Sequence, residues 1–208
     1  MNASPGASIP ELESLLNDTG KVALAYARRG WAVFPCHSVD ERGRCTCRDT
    51  QCDSPGKHPR TAHGVKDATS DPTIVRMMFG TWPGANVGTA TGSRSDGLVV
   101  LDVDAPDGEA TLEELVDQHG KLPEAPVNLT GGGGLQLLFK SDQLLKNTVG
   151  HRGKSIDTRG EGGYIVVPPA NVRKWMVLRT RADSRTCDIR SPRRIPDHDI
   201  ENLSSLSE

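Results

Sequence analysis

The segment GLVVLDVDAPDGEATLEEL, which starts at Gly97, constrains the fold more than any other stretch of the chain. Its apolar run has the length of a buried strand and ends on Asp102 and Asp104, with only Val103 between them. Alternation along a strand turns Val103 into the core and sends both carboxylates to the opposite face. At ~3.3 Å rise per residue the two acids stand ~7 Å apart, and they repel unless something positive lies between them. Two readings meet that requirement. Either Asp104 or Asp107 caps a helix beginning near Gly108 while Asp102 faces water, or the pair holds divalent ions. Mg²⁺ and Mn²⁺ take hard oxygen ligands, and two such ions ~4 Å apart are the usual arrangement for phosphoryl and nucleotidyl transfer.

Two later segments bear on the same question. SIDTRGEGGYIVVPP puts Asp157 and Arg159 on one face of another strand, before a glycine-flanked turn. A third carboxylate on a neighbouring strand completes a hard-metal site, and an arginine beside it suits bidentate contact with phosphate. The alternative is an Asp-Arg pair on the surface. TGGGGLQLLF supplies Gly131, Gly132, Gly133 and Gly134, a backbone that can turn, approach another group closely and offer N–H groups to a triphosphate. A plain tight turn is the simpler reading of the same glycines.

Four of the five cysteines and two histidines fall between Cys36 and His58. In a cytoplasmic protein such clustering favours metal over disulfides. Cys45, Cys47, Cys52 and His58 make a Cys₃His set, and the loop around them has too little apolar content to fold without a cross-link such as structural Zn²⁺. Cys36 or His37 is an alternative to one of these ligands, and Cys187 reads as a spare thiol. The stretch GKHPRTAHGVKD follows, with Lys57, Arg60, His63 and Lys66 as candidate nucleic-acid contacts or ordinary loop charges. From Arg42 to Arg76 there are seven basic and four acidic residues, a mildly basic region in a chain of net charge -2. That balance argues against a uniformly basic nucleic-acid coat.

With 208 residues the chain has room for one domain and a tail. Residues 1–19 read as a flexible leader running into a first helix, on which Leu12, Leu15 and Leu16, then Val22, Ala23, Tyr26 and Ala27, recur at helical spacing. Gly20 is expected to interrupt that helix and Gly30 to stop it. WAVFP reads as a strand ended by Pro35, and DPTIVRMMFG as a helix capped by Asp71 with Pro72 in its first position. ANVGTATG, GLVVLDVD, GGGGLQLLFK and YIVVPP read as strands, and Ala110, Leu112, Leu115 and Val116 as a helix closed by Gly120. The late strands follow one another without long crossovers, so an α+β fold with a mixed sheet is predicted rather than a doubly wound one. Trp31 and Trp82 read as packing residues, and His119, His151 and His198 as exposed or capping ones. Residues 171–208 are Arg-rich, weakly periodic and predicted to be a tail, with one short strand allowed near Trp175–Leu178. No run reaches the ~20 apolar residues of a membrane span, and no signal-like N-terminus is present, so a cytoplasmic location is expected.

Taken together, ALAYARRGWAVFP, GKHPRTAHGVKDAT, GLVVLDVD, TGGGGLQLLF and IDTRGEGGYIVVPP resemble the bifunctional DNA primase/polymerase N-terminal (prim-pol) domain of the archaeo-eukaryotic primase superfamily, over roughly residues 20–170. The resemblance implies an RRM-like mixed sheet as catalytic core, helices, and a zinc-binding loop (36–60) inserted in the domain. It implies template-directed nucleotidyl transfer in the replication of a plasmid, phage or integrated element, with DNA template and nucleoside triphosphates as substrates and a separate replicative helicase as partner. By the same resemblance Asp102, Asp104 and Asp157 bind Mg²⁺ or Mn²⁺. Arg159 and Gly132–Gly134 bind the nucleotide, as does Gln136, which stands where the family usually has a histidine. Lys57, Arg60 and Lys66 lie on the nucleic-acid path. After VVPP the sequence ANVRKWMVLRTRADSRTC departs from the family pattern, and no P-loop follows.

Overall fold

The structure is a computed structural model and describes residues 16–148, 155–170 and 193–194. Helix α1 (Asp18–Ala27) is capped by Asn17, whose side-chain oxygen accepts the Gly20 amide at 2.9 Å. Gly20 therefore sits in the first turn and does not interrupt the helix. A Cβ there would lie 2.9 Å from Leu16 Cδ2, so the glycine lets Leu16 fold back over the helix start. Gly30 follows the helix with φ +83, as expected of a stop. Leu12 and Leu15 lie outside the described residues, as do Cys187, His151, His198 and the segment Trp175–Leu178.

Strand β1 (Val33–Cys36) runs through Pro35 and does not end there. It is an edge strand of its sheet, where a residue without an N–H is tolerated. Helix α2 (Pro72–Thr81) has the expected start: the Asp71 carboxylate accepts the amides of Thr73 and Ile74. Then come β2 (Asn86–Ala90), β3 (Leu98–Val103), α3 (Gly108–His119), β4 (Val127–Leu129), β5 (Leu135–Lys140), β6 (Ile156–Arg159), β7 (Tyr164–Val167) and β8 (Arg193–Arg194). Strands β4 and β8 are three and two residues long, too short for sequence periodicity to reveal. β8 falls in the stretch read as tail and pairs in parallel with the end of β5.

The strands form two sheets, β1–β2–β7 and β4–β5–β3–β6, each antiparallel along this path. Counted along the chain, the four strands of the second sheet lie in the order second, third, first, fourth, with α3 between the first two: an RRM-like arrangement. The α+β expectation holds.

Three apolar clusters account for the placement of the layers. In the largest, Leu24, Tyr26 and Trp31 meet Val75 and Phe79 of α2, Val87 of β2, and Leu98, Val100 and Leu138 of the second sheet. A second cluster covers the other face of that sheet, where Val99, Leu101, Val103, Phe139 and Ile156 pack under Leu112 and Leu115 of α3. The third lies under the cysteine loop and contains Phe34, Cys36 and Val166. Gly88 on β2 leaves room for it, since a Cβ there would stand 2.6 Å from Phe34 Cζ and 2.7 Å from Cys36 Sγ. Gly88→Ala is expected to cost about 1–3 kcal/mol through overpacking. It should appear as a lower midpoint of urea unfolding at unchanged m-value; an unshifted midpoint would mean that the Phe34 ring yields freely.

Candidate active site and metal centre

The end of β3 is where the buried side of the second sheet turns polar. On one face of β3, Leu98 and Val100 belong to the main core, Asp102 follows, and Asp104 lies just beyond the strand. In register, Asp102 is opposite Gln136 on β5 and Asp157 on β6. The pairing therefore brings Asp102, Asp157 and Gln136 to one face. Arg159, two residues after Asp157, shares that face and serves both acids. Its Nη2 donates to Asp157 Oδ2 at 2.9 Å, and its Nε and Nη2 each lie 3.4 Å from Asp102 Oδ2. Gln136 Nε2 donates to the other Asp102 oxygen at 3.3 Å. Burial, opposed by the Arg159 charge and reinforced by Asp104, leaves the Asp102 carboxyl above the usual range.

The capping alternative fails on geometry. Asp107 occupies the cap position of α3 without a side-chain hydrogen bond to it, and Asp102 is a largely buried group with 13% of its side chain exposed.

A cleft of about 360 Å³ opens here, and Asp157, though on the same sheet face and bonded to Arg159, is not part of its lining. Asp102, Asp104, Gln136 and Arg159 line it, with Thr130 and Gly131 from the β4–β5 turn, Gly162–Val166, Asn147, and Ser54 and Lys57 of the cysteine loop. Of the four glycines, only Gly131 is on the cleft wall. The Gly133 amide donates to the Thr130 carbonyl and the Gly134 amide to the Thr130 hydroxyl, so these two N–H groups close the turn itself. Gly134 is required where β5 begins, because a Cβ would collide with the Val103 carbonyl oxygen. Ser54 and Asn147 carry no motif that sequence reasoning could have found, whereas Thr130 and Tyr164 lie in quoted motifs without having been singled out; the fold brings all four to the cleft.

The donor set suits a hard divalent ion: three carboxylates, one of them desolvated, against a single guanidinium that two of them share. The aspartates do not converge as tightly as the other candidate metal group. Among the described residues, only Cys45, Cys47, Cys52 and His58 bring three or more ligand atoms within 4.8 Å of one another.

That second group can form a zinc site. Cys45 Sγ lies 3.3 Å from His58 Nε2. Burial pushes the Cys45 thiol up, but the Cys47 and Gly56 amides and the side chains of Cys47 and His58 outweigh it and bring the pKa to about 6. The Cys52 thiol moves the other way, to about 11, through desolvation and the neighbouring sulfurs. Cys36 is not in this converging group; it lies buried in β1, where burial raises its thiol to about 12. His37 supports the site and is not one of the four. Its ring stacks on His58 at 4.4 Å, its Nδ1 is 3.0 Å from Thr46 Oγ1, and desolvation with the charges of His58 and Arg60 lowers its pKa to about 4. The buried Asn86 amide anchors the loop to β2 by donating to the Gly56 and His37 carbonyls.

The three candidate nucleic-acid cations separate. Lys57 lines the cleft, Arg60 lies over the Trp82 ring at 5.8 Å, and Lys66 is an exposed residue of the 3₁₀ turn Gly64–Asp67. Trp31 is buried and stacked on Tyr26, and Trp82 packs against the main core.

Because the Asp102 pKa is raised on folding, the unfolded chain gives up that proton more readily. Folding stability is therefore lost as pH rises from the ordinary 3.8 through the higher folded value. Asp102→Asn is expected to melt at a higher temperature than the parent at neutral pH, with the gap closing toward pH 3.8. A variant that melts lower at neutral pH would show that the Arg159 pairing outweighs the desolvation.

No curated protein matches the chain. The family model for the N-terminal domain of bifunctional DNA primase/polymerases matches residues 23–198, a span that takes in both sheets, the cysteine loop and the cleft. The chain belongs to that prim-pol family of primase/polymerase-type nucleotidyltransferases.

Proposed function

We propose that this chain is a template-directed DNA primase/polymerase, joining nucleotides at the cleft over β3 in the replication of a plasmid, phage or integrated element. The observation that carries the reading is the convergence of Asp102, Asp104, Gln136 and Arg159 on one cleft within a chain of the prim-pol family. Asp102, Asp104 and Asp157 would hold Mg²⁺ or Mn²⁺. Such ions, when bound, activate the attacking 3′-oxygen and neutralise charge at the α-phosphate as pyrophosphate leaves.

The chain's own groups do the positioning. The Arg159 fork, held by two carboxylates, matches phosphate geometry. Lys57 adds a point charge from the opposite wall, and the Thr130 turn places its hydroxyl and the Gly131 backbone beside them. Gly132–Gly134 shape that turn. Arg60 and Lys66, which do not line the cleft, would contact DNA phosphates outside it. Zn²⁺ on Cys45, Cys47, Cys52 and His58 fixes the loop that carries Ser54 and Lys57. The catalytic unit takes in residues 20–170 with loop 36–60 inserted, and the pairing of β8 with β5 and the family match to residue 198 carry it into the stretch read as tail. It works in the cytoplasm with a separate replicative helicase; no helix among the described residues is long and apolar enough to cross a membrane.

A second reading is favoured by Gln136, which donates to Asp102 but cannot become cationic. It is a prim-pol module that binds nucleotide or nucleic acid without efficient turnover.

Template-directed incorporation of labelled nucleotide by the purified chain tests both. With Mn²⁺ or Mg²⁺ the parent is expected to extend a template, and Asp102→Ala to reduce incorporation by about 10³-fold or more. If only Gln136→His incorporates, the binding-module reading prevails. Zinc is tested separately: a strong chelator should release Zn²⁺, lower the unfolding temperature and open 36–60 to protease, and Cys47→Ser should do the same. A chain that purifies free of zinc and keeps this loop protected would refute the zinc site.

A further inference from the structure

One row of polar side chains crosses the second sheet. Asn128 on β4 faces Gln136 on β5, Gln136 faces Asp102 on β3, and Asp102 faces Asp157 on β6. Asn128 and Gln136 are 2% and 8% exposed. A carboxylate only accepts hydrogen bonds, so the Gln136 group at 3.3 Å from Asp102 Oδ1 is its NH₂. That fixes the amide: Oε1 is the atom not turned to Asp102. This Oε1 is buried without a hydrogen-bond partner, and so is Nδ2 of Asn128. Buried polar atoms are nearly always paired. Here an orphan acceptor and an orphan donor belong to side chains directly opposite in register, where Cβ atoms stand ~4.5–5.5 Å apart.

We propose that Asn128 is a positioning residue for Asp102 and acts through Gln136: Asn128 Nδ2–H donates to Gln136 Oε1, and Gln136 Nε2–H donates to Asp102 Oδ1. The relay and Arg159 then grip the carboxylate from its two oxygens, Oδ1 and Oδ2. Neutral amides hold the group without cancelling its charge, which is what a ligand of a divalent ion requires. A neutral imidazole at position 136 would keep the same polarity, one nitrogen donating and the other accepting. A protonated one would donate from both and turn away the Asn128 N–H. The amide relay therefore works unchanged through the pH range in which histidine titrates.

The inference rests on Asp102 as a ligand of divalent cations, and the test separates the two. Mn²⁺ binding to the full chain, without nucleotide, is measured by calorimetry for the parent, Asn128→Leu, Gln136→Leu, the double variant and Asp102→Asn, with thermal unfolding as a control on folding. Asn128→Leu is expected to lose about tenfold in Mn²⁺ affinity, as for a supporting partner of a metal ligand. It should lose little more in the Gln136→Leu background, because the two residues act in series. Unchanged affinity in Asn128→Leu, or losses that simply add, would overturn the relay. If Asp102→Asn loses Mn²⁺ while Asn128→Leu does not, the relay alone fails; if Asp102→Asn binds like the parent, the metal reading fails and the relay with it. Should Asn128→Leu not fold, NMR of the parent decides: a hydrogen-bond coupling between the Asn128 side-chain nitrogen and the Gln136 carboxamide carbon is present if the relay forms and absent if it does not.

Discussion

The whole cleft depends on the register in which β3 lies between β5 and β6. Asp102 meets Gln136 and Asp157 only because Val99, Leu101 and Val103 take the opposite face and are buried with Phe139 and Ile156 beneath α3. A slip of one residue would drive Asp102 into that cluster and bring its apolar neighbours to the cleft. The position of the acids is thus fixed by the hydrophobic packing behind them. No interaction among the charges themselves could set the strand so firmly, since like carboxylates on adjacent strands repel.

That placement has an electrostatic cost, and the surrounding groups show how it is offset. Asp102 is desolvated enough for its carboxyl to be raised despite a guanidinium in contact. Arg159 neutralises one charge but is shared with Asp157, and Lys57 reaches the cleft from the opposite wall. Three carboxylates gathered on one face with a shared guanidinium form a donor set that a hard divalent cation would suit. Polar groups kept against local stability in this way mark a working site more reliably than a surface ion pair does.

Strand and helix identities were readable wherever pattern and punctuation agreed. Asp71 before Pro72, Gly120 after α3 and the alternation through Asp102 each carry their own physical signal, and the structure has all three features. The misreadings came from judging a residue type without its neighbours. Pro35 lies inside a strand because that strand is at a sheet edge, and Gly20 lies inside a helix because Leu16 needs the space. At the cleft, motif residues such as Asp102 and Arg159 were legible, whereas Ser54, Asn147 and Asn128 were not. Those three reach the cleft or its supporting row through register and through loops pinned from a distance, and such pairings leave no local trace in a sequence. The cysteine set was legible by spacing, but that Cys36 and His37 stay outside it was decided by where the fold brings the ligand atoms together, which spacing does not report.

The two cations over the cleft are mounted differently, and that difference bears on what each can do. Arg159 ends β6, and the chain beyond it is pinned as it crosses to the first sheet: the Glu161 amide donates to the Leu145 carbonyl, its carboxylate takes the Ser93 amide, and the Thr91 hydroxyl bonds the Gly160 carbonyl. Gly160 has no room for a Cβ against the Leu145 carbonyl oxygen, so the backbone there is close-packed. Arg159 is therefore preorganised, and holding it in this geometry for a phosphate, as proposed, would cost little. Lys57 sits on a loop held by Asn86 and by four potential metal ligands, beside His58 itself. Its position is only as firm as that cross-link. Of the two cations, one is thus mounted on the sheet and the other on the cysteine loop, so that a metal on Cys45, Cys47, Cys52 and His58 would set how firmly Lys57 stands in the cleft.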